Sequence, residues 1–442
     1  TIKHYKPADV KADNRVFTGL CRDHQQWRHW WASLRRFVAT WSCGVRSCPA
    51  CQPHPTLVAA GDIFCVSMCP TVAERGVADP PIDVLHTVFP RLECQRRDCT
   101  SCPKDLLPPC KKLWASTKEI PTQQYGYTTR ETKTKKKYQS LDLKSEAPPV
   151  KEFLQTLKAD LPRVTLHHYE ALWTETMYTH ISTIVPPGWL VCRIDYPERQ
   201  EKKARSMVAQ QEYHKEKVLL LVITLSFRVP GEGIHHCASV YIGDGSLEKG
   251  ASTIQPAVQE AITWAQAKTG LHSVLFISDR ACQEFSNVTN LMFLTLLPTL
   301  FAGLLFLWAF DTPGHGKGVC DGIGAAIKFM IENGLKTLNR LPSVEEIIQF
   351  LWNHTKGRPI RSSKYTKFKE YRFKELKVRD TAPLTGSTIP DTKKFYLYRA
   401  GGKEGHLVRR HLPCFCSSCL AQACKATEGC ANSPVCGGWE DI

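Results

Sequence analysis

The sequence predicts an α/β fold, a mixed β-sheet covered by helices on both faces, with a cysteine-rich region at either end. Three observations predict it. Between residues 189 and 333, runs rich in branched residues alternate with segments of helical period. Most of the 20 cysteines fall in residues 21–110 and 414–436, closely spaced. At 442 residues the chain is long enough for several domains of roughly 100–200 residues each, and so for a sizeable core.

In chain order, residues 1–130 read as a cysteine-rich, zinc- and DNA-binding region, irregular to about residue 118, with Trp27, Trp30, Trp31, Arg35 and Arg36 as an aromatic and basic patch. Residues 131–180 read as a basic linker and helical region. Lys133, Lys135, Lys136 and Lys137 precede Pro148 and Pro149, the composition of a flexible linker or exposed arm. Phe153, Leu154, Leu157 and Leu161, then Tyr169, Leu172 and Met177, fit helices broken near Pro162. Residues 181–355 hold the sheet, and residues 356–442 a basic segment with a C-terminal cysteine cluster.

Within 181–355, strands are expected at 189–196, 217–229 and 238–242, with turn signals at Pro197 and Pro230-Gly231. A helix follows at about 256–268, then a strand at 273–278, a helix from Ala281, a strand at 304–310 and a helix at 319–333. Three antiparallel strands followed by alternating helices and strands is the order of a ribonuclease-H-like sheet. The uncharged stretch 288–310 is just long enough to span a bilayer. Pro298 and Gly303 divide it, and they favour a buried helix, a turn and a central strand.

In that topology the first and fourth strands are neighbours. Asp195 ends the first, Asp279 ends the fourth, and Asp321 starts the helix after the last. Carboxylates brought together repel unless cations hold them, and two magnesium or manganese ions about 3.5–4 Å apart would serve in-line phosphoryl chemistry. Aspartates at such places also act as turn and helix-cap residues. The net charge of +16 favours a polyanionic partner, nucleic acid before an acidic membrane surface. Between Gly314 and Gly324, five glycines crowd a strand-to-helix junction, with His315 and Lys317 as donors for a phosphate. Lys317 is followed by Gly318 and not by a hydroxyl residue, so the segment is no nucleotide-hydrolysing P-loop.

The run from Gly314 to Gly324 resembles the signature of DDE/D-type transposase-like proteins of eukaryotic mobile elements. Asp195-Tyr196 with Glu198 matches their first motif, Ser278-Asp279 with Phe285 and Asn287 their second, and Cys414, Cys416 and Cys419 their terminal cysteines. The likeness covers roughly residues 90–440. It implies a ribonuclease-H-like core in which Asp195, Asp279 and Asp321 hold the metals, with His315 and Lys317 near the scissile phosphate. Arg199 stands where the family usually has Asn and Glu284 where it often has Gln; Asp311 and Glu332 compete with Asp321 as third ligand.

Close cysteine spacing suits tetrahedral zinc better than disulfides. At the C-terminus, Cys416 and Cys419 form a knuckle that Cys414 or His411, together with Cys424, could complete, with Cys430 and Cys436 nearby. Cys94, Cys99, Cys102 and Cys110 make a second set, and Cys43, Cys48 and Cys51, with His54 or with Cys65 and Cys69, a third. Lys364, Lys367, Lys369, Arg372, Lys374, Lys377 and Arg379 interleave with Tyr365, Phe368, Tyr371 and Phe373, either a DNA-contacting surface or a basic face on a core element. The expectation is a nuclear enzyme that cleaves and joins DNA strands, acting on element ends and target DNA, as a homo-oligomer and without a small-molecule cofactor. The alternatives are a nuclease on the same core and a catalytically silent zinc- and DNA-binding protein.

Overall fold

The computed structural model describes residues 22–40, 82–87, 89, 91–96, 98–100, 107, 110–131, 137–202, 216–316, 318–335, 341–356, 368, 370–379, 386, 388–401, 405–421 and 430–442. They fall into two units, Thr1–Trp173 with Ala431–Val435, and Thr174–Cys430 with Cys436–Ile442.

In the first unit, helix α1 (Arg22–Thr40) carries Trp27, Trp30, Trp31 and Leu34 at helical spacing. All four are buried, in one cluster with Leu113, Ile120, Phe153, Leu154 and Leu157. The tryptophans of the aromatic and basic patch are therefore core, and the region expected to be irregular holds a helix. Strands β1 (Thr122–Glu131) and β2 (Lys137–Glu146) pair antiparallel, from Thr122 opposite Glu146 to Glu131 opposite Lys137. Much of the stretch expected as a linker or arm is thus paired strand, while Lys133, Lys135 and Lys136 lie outside the described residues. Buried Gln26 ties β1 to α1, donating to the Gln123 carbonyl at 2.9 Å and accepting from the Tyr125 N–H at 2.6 Å.

Helix α2 (Val150–Ile184) runs unbroken through Pro162. A proline inside a helix costs about 3 kcal/mol. Burial of Phe153, Leu154, Leu157, Leu161 and Val164 outweighs this, at roughly 1.5–3 kcal/mol per large apolar side chain. The predicted break is absent for that reason.

The second unit is built on a large mixed sheet flanked by helices. Its strands are β3 (Trp189–Asp195), β4 (Gln200–Glu201), β5 (Lys217–Val229), β6 (Gly233–Asp244), β7 (Ser273–Ser278), β8 (Leu305–Phe310), β9 (Glu370–Glu375), β10 (Leu397–Ala400), β11 (Leu407–Arg410) and β12 (Trp439–Asp441). Their spatial order is β12-β11-β10-β8-β7-β3-β5-β6-β9, with β4 beside β5. Strand β3 pairs antiparallel with β5 and parallel with β7, and β7 runs parallel to β8.

Alternation along β5 sorts the two faces. Leu219, Leu221, Ile223 and Leu225 pack with helices α3 (Ala251–Gln266) and α4 (Val288–Leu300). Val218, Leu220 and Val222 pack with α5 (Val319–Leu335) and α6 (Val344–Thr355). A sheet buried on both faces explains why its strands read as continuous apolar runs.

Helix α4 begins at Val288 and not at Ala281. Asn287 caps it by accepting from the Asn290 N–H, and the Asn290 amide holds the preceding turns through the Glu284 and Phe285 carbonyls. The uncharged stretch is α4 followed by β8, and among the described residues no helix is long and apolar enough to cross a membrane. In the basic segment, Phe368, Tyr371 and Phe373 are core residues, and Arg372 is buried against Glu260 and over the Trp264 ring. These aromatics are not a stacking surface; Lys364, Tyr365, Lys367 and Lys369 lie outside the described residues.

Candidate active site and metal centre

Parallel pairing in register brings the C-terminal ends of three adjacent strands level. Ile194 lies opposite Ser278, and Ser278 opposite Phe310. Asp195, Asp279 and Asp311 therefore stand side by side at the ends of β3, β7 and β8, the edge at which open α/β sheets place ligands. The Asp311 N–H donates to the Ser278 carbonyl at 2.8 Å, which fixes its alignment with β7. All three line one crevice together with Arg193, Gly316 and Gly318.

Each carboxylate answers to this crowding. Burial, then Asp321 and Asp279, push the Asp195 carboxyl up to about 7. Burial and the neighbouring Asp279 and Asp321 push Asp311 up to about 6, against the opposing pull of Arg193. Asp279 is raised by burial and by Asp321, although the Ala281 N–H donates to its Oδ1 at 3.0 Å and Lys249 pulls the other way. Among the described residues the Asp311 carboxylate, on a residue 9% exposed, has no hydrogen bond or ion pair. Among the described residues Arg193, Lys249 and Lys328 are set against these four carboxylates and the nearby Glu284 and Glu198, an excess of negative charge that invites cations.

Asp321 is differently placed. It lies in the first turn of α5, exposed, and its Oδ2 accepts from the Gly318 N–H at 2.9 Å, one half of a capping box. It is near enough to raise the other three, yet it is already engaged with the backbone. The carboxylates do not converge on a single point: the groups whose ligand atoms all lie within 4.8 Å of one another are elsewhere, among the described residues.

The glycines of the junction are explained by proximity. A Cβ on Gly316 would stand 2.9 Å from the Asp279 Cβ, and one on Gly318 would stand 2.9 Å from a guanidinium nitrogen of Arg193. Gly314, at φ +80°, takes a left-handed turn. His315 is half-buried in that turn, its N–H on the Thr312 carbonyl at 2.9 Å, and Lys317 lies outside the described residues.

Sequence reasoning passed over three residues around the crevice. Arg193 lies on β3 two residues before Asp195, so alternation puts both on one face of the sheet, and its guanidinium stands over the Tyr178 ring. The Tyr178 hydroxyl donates to the Phe310 carbonyl at 2.7 Å, holding the end of β8. Lys249 bridges Glu284 at 3.3 Å and the Tyr196 carbonyl at 3.3 Å, beside Asp279. No local pattern marks these residues; they are brought together from β3, from helix α2 and from the segment before α3 by tertiary packing.

A second centre lies at the C-terminus. The sulfurs of Cys414, Cys416, Cys419 and Cys430 lie within 4.8 Å of one another, an arrangement that could hold a metal such as zinc. Cys430 takes the place expected for His411 or Cys424. The His411 Nδ1 is hydrogen-bonded to the Lys394 carbonyl at 2.6 Å, and Cys424 is outside the described residues. Near the N-terminus, Glu93, Cys94 and Cys99 are close enough to share an ion. Cys110 is instead packed in the tryptophan cluster, while Cys102 and the set from Cys43 to Cys69 are outside the described residues.

A family model described as "Domain of unknown function (DUF8701)" matches residues 175–404, which include all four carboxylates and exclude the sulfur cluster. No curated protein and no solved structure matches the chain.

Proposed function

The chain belongs to the DUF8701 family, and from its site we propose that it is a metal-dependent polynucleotidyl transferase of the DDE/D transposase kind, on a ribonuclease-H-like core. The observation that carries the reading is the alignment of Asp195, Asp279 and Asp311 at the ends of three adjacent strands, all lining one crevice. The order and pairing of β3, β5, β6, β7 and β8 support the core, and the junction from Gly314 to Gly324 supports the resemblance.

Magnesium or manganese held by Asp195, Asp279 and either Asp321 or Asp311 would supply activation of the attacking oxygen and stabilisation of the leaving one. The residues fit such ions, being oxygen ligands in excess over local positive charge. The glycine backbone lets the junction lie against Asp279 and Arg193, at the edge of the carboxylate crevice. His315 and Lys317 offer donors to the scissile phosphate. Water would attack in cleavage and a freed 3′-hydroxyl in joining. Nuclear DNA is the substrate this chemistry and the charge of +16 favour, with a homo-oligomer bringing two DNA ends together and zinc at the cysteines.

The test uses the full chain with magnesium or manganese on DNA that includes terminal repeats from its own locus. Wild type should nick and join strands, and Asp195→Asn should do neither. If wild type nicks no DNA, the enzymatic reading fails. Cleavage without joining would identify a nuclease. The catalytically silent alternative draws on one observation, the engagement of Asp321 by the Gly318 N–H, and it predicts equal DNA binding by wild type and Asp195→Asn with no cleavage by either.

A further inference from the structure

Arg410, on β11, is 1% exposed. A buried guanidinium needs an anion close by. Among the described residues no aspartate or glutamate pairs with it. Its Nε donates to the Gly437 carbonyl at 2.8 Å, its Nη1 to the Cys419 sulfur at 3.4 Å, and its guanidinium lies 5.8 Å from the centre of the Trp439 ring. The groups of anionic potential it faces among the described residues are sulfurs: Cys419, which accepts its hydrogen bond, with Cys436, Cys430 and Cys414 close by.

The geometry of that cluster is specific. Cys430 stands 3.7 Å from the Cys414 sulfur, 3.7 Å from that of Cys419 and 3.8 Å from that of Cys416. A tetrahedron of sulfurs with metal–sulfur bonds of about 2.3 Å has edges of about 3.8 Å. Four thiolates on one divalent ion leave a double negative charge, costly to bury alone. Each half of the pair, the cluster and the guanidinium, offsets the other's penalty.

We propose that Cys414, Cys416, Cys419 and Cys430 hold one zinc ion as a dianionic tetrathiolate, with Arg410 as its built-in counter-charge, and that the pairing makes the centre an inert structural clasp. The clasp joins the last strands of the sheet: Arg410 lies opposite Trp439 in the β11–β12 pairing, and the Leu412 N–H donates to the Cys436 carbonyl at 3.0 Å. An N–H bond to a thiolate withdraws electron density from the sulfur, which slows its attack on electrophiles and keeps the ion in place. The proposal is independent of phosphoryl transfer.

The experiment measures zinc release from the full chain to a colorimetric chelator during alkylation by N-ethylmaleimide. Cys430→Ser defines the fraction that belongs to this centre, since other cysteines could also hold zinc. Cys430→Ser should lower zinc content and weaken the thiolate-to-metal absorption of the cobalt-substituted chain. Arg410→Met should release the Cys430-dependent zinc roughly tenfold faster or more, and Arg410→Lys should fall between it and wild type. Should Arg410→Met not fold, Arg410→Gln, which keeps a hydrogen-bonding group but loses the charge, carries the same comparison. Release from the neutral variant at the wild-type rate, or zinc and cobalt signals unchanged in Cys430→Ser, would overturn the proposal.

Discussion

Asp195 and Asp311 are carboxylic acids whose folded surroundings favour the protonated form, about 7 for one and about 6 for the other. The direction of the linkage follows. A raised carboxyl binds its proton more tightly in the folded chain than in the unfolded one, so folding takes up protons between the ordinary carboxylate range, near 4, and the raised values. Metal-free stability should fall as pH rises from about 4 to about 7, by on the order of 2–4 kcal/mol for Asp195. Melting temperatures across that range should show the decline, and Asp195→Asn should flatten it and melt higher than wild type at pH 8. Manganese should restore the melting temperature of wild type at pH 8 and leave that of Asp195→Asn nearly unchanged. A wild-type profile rising with pH would contradict the crowding described for the crevice. Between the rivals for third ligand, Asp311→Asn should cost more manganese affinity by titration than Asp321→Asn, since only the latter carboxylate already has a backbone partner.

At the scale of elements, the junction between β8 and α5 is held close to the carboxylates by glycine. Gly316→Ala would set a methyl 2.9 Å from the Asp279 Cβ, so the loop must shift away from the crevice. DNA cleavage should fall at least tenfold while circular dichroism stays native. Gly324 serves packing instead: a Cβ there would meet the Pro197 ring at 2.3 Å. Gly324→Ala should push α5 off the loop after β3 and destabilise the second unit by about 1–3 kcal/mol, read from its denaturant midpoint. Chain-local signals found α5, β5 and β7 nearly to the residue because their periodicity is strong. They missed the continuity of α2, because a local proline rule does not know what the apolar face will bury.

For the whole molecule, a charge of +16 and a cluster of aspartates make opposite demands on DNA. Affinity should come from basic surface and fall linearly in log affinity against log salt. Asp195→Asn should bind at least as tightly as wild type in the absence of divalent ions, because it removes a repulsive charge. Weaker binding by that variant would mean that the aspartates, not the basic surface, organise the DNA contact.

Local pattern along the chain located β3, β5, β7 and β8 to within two residues, the middle of β6, and the clustering of cysteines, but not β4 or the outer strands β9 to β12. These follow from period, branching and spacing along the chain. The places of Asp195, Asp279 and Asp321 at or beside element ends were legible because periodicity locates those ends. Tertiary pairing sets which groups share the crevice: strand register brings Asp311 and Arg193 beside Asp195 and Asp279, and the capping bond of Asp321 ties it to the backbone. Tertiary packing likewise makes the N-terminal tryptophans core and joins Cys430 to the sulfurs. Partners distant in sequence are chosen by pairing and burial, and no local pattern encodes either.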